Sequence, residues 1–423
     1  MSEQVNGQTG ERAADQAADQ TASQTASQTA NPATNYDTNH AKKIETSASF
    51  SPAIKAWADG IWTRIERKIR RTSLRIGVSC PHASVNGKYD DMRVSWWTAG
   101  FWPGILWQLA AEGGNPEFKA IAEQCEARLD EPLHALAVHH DSGFIWLLSS
   151  VANYRITGNE RSRERGLMAA AQLASRFNLK GRYIRAWHDT KTLNRAGWSI
   201  IDTMMNLPLL YWASETTDDP RFRHLAAAHA ETVREHFMRP DGSSYHILRF
   251  DAESGERLGA EAGQGYAAES AWSRGSAWTI YGMVLSYLYT GNEAFLTASK
   301  RAAHFFLANL PEDYVPHWDF RAPRQADTPR DTSAAACAAC GLIELAGCLP
   351  EGEGQMYREA AVRLVRALDG QYGAWDLENE EGLILSGTSN LPAGVHIDTP
   401  LIYGDYFFVE AVSKLRGSKM RFW

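Results

Sequence analysis

The stretch GSAWTIYGMVLSYLYTGNEAFLTASKRAAHFF, residues 275–306, reads as two helices of different character. From Gly275 to Thr290 nearly every position is apolar or small. A helix with no polar face must be buried on every side. The string Thr290-Gly291-Asn292 is a turn signal. Beyond it, Phe295, Ala298, Ala302, Phe305 and Phe306 line one face, with charged residues opposite, as on a surface helix.

The same pair recurs along the chain. Segments that are apolar nearly all round run at about 98–111, 143–156, 199–214, 275–290, 332–347 and 403–415. Amphipathic stripes alternate with them. One is Ile54, Trp57, Ile61, Trp62, Ile65 and Ile69; a second is Phe222, Leu225, Ala226, His229 and Val233; a third is Tyr357, Ala360, Ala361, Leu364, Val365 and Leu368. Weaker stripes lie near 117–130 and 161–177. Six buried helices alternating with six surface helices predict an all-α (α/α)6 barrel. A helical solenoid is the rival, but it would rarely make one helix of every pair so uniformly apolar. A short hairpin is expected near 241–262, with its turn at Asp241-Gly242 and Tyr245, Ile247 and Phe250 strand-like.

The segment 1–45 is different. It is rich in Ala, Gln, Thr, Ser and Asp, and it repeats Thr-Ala-Ser-Gln at Thr21 and Thr25. Such a segment cannot bury enough apolar surface to offset its chain entropy, so it is expected to be disordered, with 46–423 as a single catalytic domain. It lacks the basic start and apolar stretch of a signal peptide. No apolar run is long enough to span a membrane. The formal net charge of -7 does not resemble the footprint of a nucleic-acid binder. The cysteine count is 5, odd and scattered. That favours free thiols in a reducing cytoplasm. Cys337 and Cys340 form a C-x-x-C spacing within small apolar residues, read as helix core rather than as a redox or zinc pair. No metal-ligand set and no cofactor is expected.

In an alternating barrel all inner helices point the same way. Their N-termini meet at one end, where unpaired N–H groups favour anions. The polar and aromatic oddities fall at these six starts: Trp96-Trp97, His139-His140-Asp141, Asp202, then Gln264 with Trp272, Arg274 and Trp278, Asp331, and Tyr403-Gly404-Asp405. Asp141 and Asp331 could be plain helix caps. Asp202, between Ile201 and Met204 in an apolar helix, is costly unless paired or functional. Arg274 could be its partner or a substrate clamp. The tryptophans are core candidates singly, yet 15 in one chain is high, and indole faces serve as stacking platforms for sugars. His246 is either an edge-strand residue or functional.

Over roughly 50–415 the sequence resembles the unsaturated glucuronyl hydrolases, glycoside hydrolase family 88. The resemblance rests on Trp97-Thr98-Ala99-Gly100-Phe101-Trp102-Pro103-Gly104, His140-Asp141-Ser142-Gly143-Phe144 and Ser199-Ile200-Ile201-Asp202-Thr203-Met204-Met205-Asn206-Leu207-Pro208. It continues in Gln264-Gly265-Tyr266-Ala267, Trp272-Ser273-Arg274-Gly275 and Tyr403-Gly404-Asp405-Tyr406-Phe407-Phe408. The resemblance implies a metal-independent hydrolase. Its partner would be a di- or oligosaccharide ending in an unsaturated uronate, not nucleic acid or a membrane. It implies Asp202 as general acid/base and Asp141 as the second essential carboxylate. His246, Gln264, Trp272, Arg274 and Trp278 would hold the uronate or the water, with Trp97 as a further substrate contact. Some relatives grip sulfate with Ser-x-x-Ser-x-Lys near the last loop. Here Ser386 and Ser389 occupy that run, and Leu391 stands where the lysine would be. The chemistry implied is protonation of an alkene carbon, for which Asp202 would need a raised pKa while Asp141 stays ionised. The rivals are an unsaturated rhamnogalacturonyl hydrolase acting on pectin fragments, an ordinary inverting glycosidase, a sugar epimerase, and a non-catalytic sugar-binding protein.

Overall fold

Twelve helices alternate between an outer and an inner ring in the computed structural model, which describes residues 49–135 and 138–423. The expected low-complexity tail, 1–45, lies outside the described residues. In chain order the helices are α1 (Pro52–Ile76), α2 (Phe101–Gly113), α3 (Pro116–Arg128) and α4 (Ser142–Trp146, carried through a π-turn at Leu147–Val151 into Ala152–Thr157). Then follow α5 (Glu160–Ala174), α6 (Leu207–Thr217), α7 (Pro220–Thr232), α8 (Ser273–Thr290), α9 (Glu293–Ala308), α10 (Thr332–Gly347), α11 (Glu351–Gln371) and α12 (Ile402–Arg416). Odd numbers form the outer ring and even numbers the inner. Each inner helix touches the next, and α12 returns to α2. That closure makes an (α/α)6 barrel and excludes the solenoid. Every residue from Ser273 to Leu288 in α8, and from Thr332 to Ala346 in α10, is buried, as a helix without a polar face requires. Among the described residues no helix is long and apolar enough to cross a membrane.

Tight reversals join inner to outer helices. α2, α4 and α8 end on Gly114, Gly158 and Gly291 at φ of 65°, 73° and 68°. Glycine takes this left-handed conformation without a Cβ penalty. The next residue then caps the outer helix. Asn115, Asn159 and Asn292 accept from the backbone N–H of Glu117, Arg161 and Ala294. After α6, Asp218 takes the left-handed place and Asp219 the cap. With one end of the barrel closed by such turns, the long outer-to-inner links all pass over the other end.

Aromatic rings fill the axis. Trp423 stacks on Phe407 at 5.6 Å and donates from Nε1 to Glu410 at 2.9 Å. Buried Lys414 pairs with Glu344 and Glu410, so these charges are compensated. Cys337 and Cys340 are buried free thiols on α10, and Cys80, Cys125 and Cys348 are also unpaired.

Two local expectations are corrected. The third inner segment is not helical from 199. Trp198–Ile200 is a strand, Ile201–Met205 a 3-10 turn, and the α-helix begins only at Leu207. Pro208 has no N–H to offer residue 204, so α-helical bonding starts in its own first turn. Asp241-Gly242 does turn the chain, between Met238 and Ser244, but the strand hairpin turns further on, at Asp251–Gly255. Asp251 Oδ1 accepts from the N–H groups of Glu253 and Ser254, the local bonding that favours Asp in turns. The hairpin strands, Ile247–Phe250 and Arg257–Glu261, join Trp198–Ile200 in one antiparallel sheet over the open end.

This sheet and α8 fix the 3-10 turn between them. A Cβ on Gly282 would lie 2.5 Å from Met204 Cβ and 3.0 Å from its backbone carbonyl. Gly282→Ala should therefore destabilise the fold by about 1–3 kcal/mol through overpacking, although alanine is the better helix former. Thermal unfolding by circular dichroism measures this; a melting temperature at or above the parent's would show that the close approach does not exist.

Candidate active site

Sheet register brings Asp202 and His246 together. Ile200 pairs with Ile247, and Ile201 N–H donates to the His246 carbonyl at 3.0 Å. The next residue, Asp202, then places Oδ2 3.6 Å from His246 Nε2. The Gln264 N–H donates to His246 Nδ1 at 2.8 Å. The Ala262 carbonyl also lies 3.1 Å from Nδ1, but the backbone N–H aimed at that nitrogen cannot face a second hydrogen, so in the neutral ring the hydrogen is assigned to Nε2, facing the carboxylate. Neither facing atom has another hydrogen-bond partner, and both are buried. The His246 ring lies 4.3 Å from that of Trp272.

The second carboxylate approaches along α4. Gly143 sits so close to Asn206 that a Cβ would be 2.5 Å from its Cα. Asn206 clamps the two segments: its Oδ1 accepts from Phe144 N–H at 2.9 Å, and its Nδ2 donates to the Asp202 carbonyl at 3.1 Å. Asp141 precedes α4 but makes no side-chain cap bond. Its carboxylate instead lies 3.2 Å from His140 Nε2 and 3.1 Å from His139 Nδ1. The His139 contact is within ion-pair range, yet that nitrogen is off the hydrogen-bonding direction. Burial pushes the Asp141 pKa up, but His140, His139 and Arg176 outweigh it and hold it below the ordinary carboxylate value. Burial lowers the pKa of His140, against the pull of Asp141 and Asp202. Both carboxylates thus act on one imidazole.

Arg274 organises the opposite wall. It is 1% exposed and pairs with Asp331, not with Asp202. Nη1 also donates to the Thr388 carbonyl at 2.8 Å. Nη2 donates to Gln264 Oε1 and to the Ser389 carbonyl, both at 2.7 Å. The guanidinium lies 4.5 Å from the Trp272 ring and 5.2 Å from that of Tyr403. Asp331 does cap α10, accepting from Ser333 N–H, while it holds this charge.

Residues 74–318 match the family model described as Glycosyl Hydrolase Family 88. The chain is 38% identical over 358 residues to an unsaturated glucuronyl hydrolase of Bacillus sp. (strain GL1), covering 84% of this chain and 95% of that one. It is 34% identical over 345 residues to an unsaturated chondroitin disaccharide hydrolase of Streptococcus pyogenes serotype M1, covering 81% and 86%.

The chain belongs to glycoside hydrolase family 88.

Crystal structures of family members superpose on it. The unsaturated glucuronyl hydrolase of Bacillus sp. GL1, described as responsible for glycosaminoglycan degradation, has a TM-score of 0.81 at 38% identity, over 85% of this chain and 96% of that one. A mutant of the Streptococcus agalactiae enzyme complexed with dGlcA-GalNAc6S gives 0.77 at 30% identity, over 90% and 99%.

Most residues that the family resemblance singled out converge on this mouth. Asp141, Asp202, His246, Gln264, Trp272 and Arg274 form the connected set just described. Trp97 is half-buried, its ring 4.8 Å from Tyr403 and 5.4 Å from Phe144. Trp278 lies deeper, fully buried between Phe144 and Phe407. The serine run meets its neighbours through the main chain and, at Ser389, through the hydroxyl as well. Ser389 meets Arg274 through its carbonyl, and Ser386 accepts from Thr332 N–H at 3.2 Å through its own. Four residues of the mouth had been given no role. Asn206 and Tyr403 stand inside the quoted family strings. Burial pushes Tyr403 up to about 12, keeping it a phenol. Arg176 reaches Asp141 from the end of α5. His82, which burial brings down to about 3, packs edge-on against Trp97 and has Ser389 Oγ at 3.4 Å. No local signal marks His82, because its partners are distant in sequence. The donor atoms of His139, His140 and Asp141 lie within 4.8 Å of one another.

Because Asp331 and Arg274 are both fully buried, removing one leaves an uncompensated charge. Asp331→Ala should cost about 3–5 kcal/mol in urea-induced unfolding. A loss below about 1 kcal/mol, the size of an exposed pair, would mean the pair is solvated.

Proposed function

We propose that this family 88 hydrolase releases 4-deoxy-4,5-unsaturated glucuronic acid from the non-reducing end of glycosaminoglycan fragments made by polysaccharide lyases. One observation carries the reading. One oxygen of a carboxylate and an imidazole nitrogen face each other, both atoms buried and without a hydrogen-bond partner, at an end of the barrel where six helix N-termini converge. Next to them is a second carboxylate held toward its ionised form. The names of the relatives, which act on unsaturated glucuronyl or chondroitin disaccharide substrates, support the same class.

The unsaturated ring is a vinyl ether. Asp202, protonated, gives its proton to C4, and positive charge develops at C5 and the ring oxygen. Asp141 stays ionised and stabilises that charge. Water adds to C5 and returns a proton to Asp202, restoring the acid. The resulting hemiketal opens and expels the rest of the chain. His246 Nε2–H is placed to orient the carboxylate or the water. Arg274 spends its hydrogen bonds on Asp331, Gln264 and the 388–389 carbonyls, so it shapes the site. The substrate carboxylate is then left to the converging helix ends. This is hydration rather than displacement at the anomeric carbon, so the spacing rule for paired glycosidase carboxylates does not govern it.

Asp202→Asn should lower kcat at least ~100-fold, the low end of a general acid/base contribution. The assay follows decay of the ultraviolet absorbance of a lyase-made disaccharide. Near-normal turnover in the variant would reject Asp202. A sugar-binding protein, or a glycosidase that spares the double bond, would leave the absorbance of the parent reaction unchanged. A pectin-derived unsaturated rhamnogalacturonan disaccharide, turned over faster than a chondroitin one, would favour the rhamnogalacturonyl reading.

Leu391 stands in the run where some relatives carry lysine, so that cation is missing from the run here. The enzyme should therefore turn over unsulfated chondroitin disaccharide at least as well, in kcat/KM, as the 6-sulfated form. A much higher value on the sulfated substrate would overturn this. Five free thiols fit a reducing compartment, so we place the enzyme in the cytoplasm.

A further inference from the structure

The His139-His140-Asp141 corner has a geometric problem that its own protons do not resolve. His140 Nδ1 lies 2.9 Å from the Ala186 carbonyl, an acceptor. Its Nε2 lies 3.2 Å from Asp141 Oδ1, also an acceptor. A neutral imidazole has one N–H, so one of these contacts sets lone pair against lone pair. His140 is 2% exposed, where an imidazolium is costly. With Nδ1–H on the carbonyl, Nε2 keeps its lone pair, 3.2 Å from Asp141 Oδ1. This is how metal-binding histidines are oriented by an outer acceptor. On the other side of Asp141, His139 Nδ1 lies 3.1 Å from Oδ2 and has no hydrogen-bond partner.

We propose that these three residues form a binding site for a zinc-like divalent cation, and that its occupancy inhibits the enzyme. The inhibitory half rests on the reading of Asp141 given above; the binding half does not. Two imidazole nitrogens and one carboxylate are a common zinc donor set. With metal–ligand distances of about 2.0 Å, the edge of a tetrahedral site is about 3.3 Å. The two nitrogen–oxygen separations here, 3.1 and 3.2 Å, are close to it, one to each oxygen of Asp141, and all the donor atoms lie within 4.8 Å of one another. His139 is 27% exposed on its side chain and offers the way in. A cation here binds both oxygens of Asp141 and removes the negative charge that faces the developing positive centre. Turnover would then depend on free zinc.

The test uses the full chain freed of metal with a chelator. Zinc binding is measured by calorimetry and Co2+ binding by its visible absorption, with Parent, His139→Ala and Asp141→Asn compared. The expected result is one zinc per chain in the parent and at least ~10-fold weaker binding in both variants, the loss that even an outer-shell change can cause. Zinc should also slow the parent's turnover of unsaturated disaccharide, reversibly on chelation. His139→Ala should keep a larger fraction of its own metal-free rate at the same zinc concentration. Parent protein that binds no zinc overturns the proposal, and so do variants that bind it as tightly as the parent. Zinc binding that follows the variants in a protein without turnover would leave the metal site standing and refute the proposed function. Turnover without zinc binding would do the reverse.

Discussion

A helix that is apolar on every side has no stable place in a small protein unless a second layer covers it. Six such helices, too short to span anything else, can be buried together only if they close on one another inside an outer ring. Everything at the active end follows from that constraint. Closure makes the inner helices parallel, parallel helices bring their N-termini to one end, and the inner-to-outer reversals occupy the other. Glycine at Gly114, Gly158 and Gly291, each followed by a capping asparagine, keeps those reversals short. Chain length not used there is available for the loops over the mouth.

The mouth is a charged site inside an apolar barrel, and the structure deals with each charge by a separate device. Arg274 and Asp331 neutralise each other, while Arg274 ties down the loop through Thr388 and Ser389. Asp141 is balanced by two histidines and Arg176. Asp405 anchors the last loops by accepting from Tyr89 and from the N–H groups of Leu383 and Ile384. Asp202 differs from all of these. Its Oδ2 has only the His246 Nε2 opposite it, and neither atom makes a hydrogen bond. Buried polar atoms are rarely left so, and such exceptions call for a functional account. An acid that must hand a proton to a substrate has reason to be left without an internal acceptor.

Hydrophobic periodicity carried the ring architecture because helix burial is a local property, legible within a single helix such as Gly275–Thr290 or Ser333–Leu342. It failed at 199–206 because an apolar run of that length does not distinguish strand from helix. The sheet there depends on pairing with residues 247–250, which no local pattern reports. The family resemblance named Asp141, Asp202, His246, Gln264, Trp272 and Arg274. It did not say that Arg274 would pair with Asp331 rather than Asp202. That choice depends on which loop closes over a buried guanidinium.

By itself the sequence determined two concentric rings of helices, a common end for the unusual side chains, and membership of a family by strings that survive in order. These follow from local burial patterns and from residue identity. Tertiary structure alone decided the partners: Asp202 with His246, Asp141 with His139 and His140, Asn206 across to Phe144, and His82 beside Trp97. Apart from the adjoining His139, His140 and Asp141, these pairings join residues well separated in the sequence. Their geometry is set by sheet register and by close backbone approach at Gly143 and Gly282, and a one-dimensional pattern carries neither.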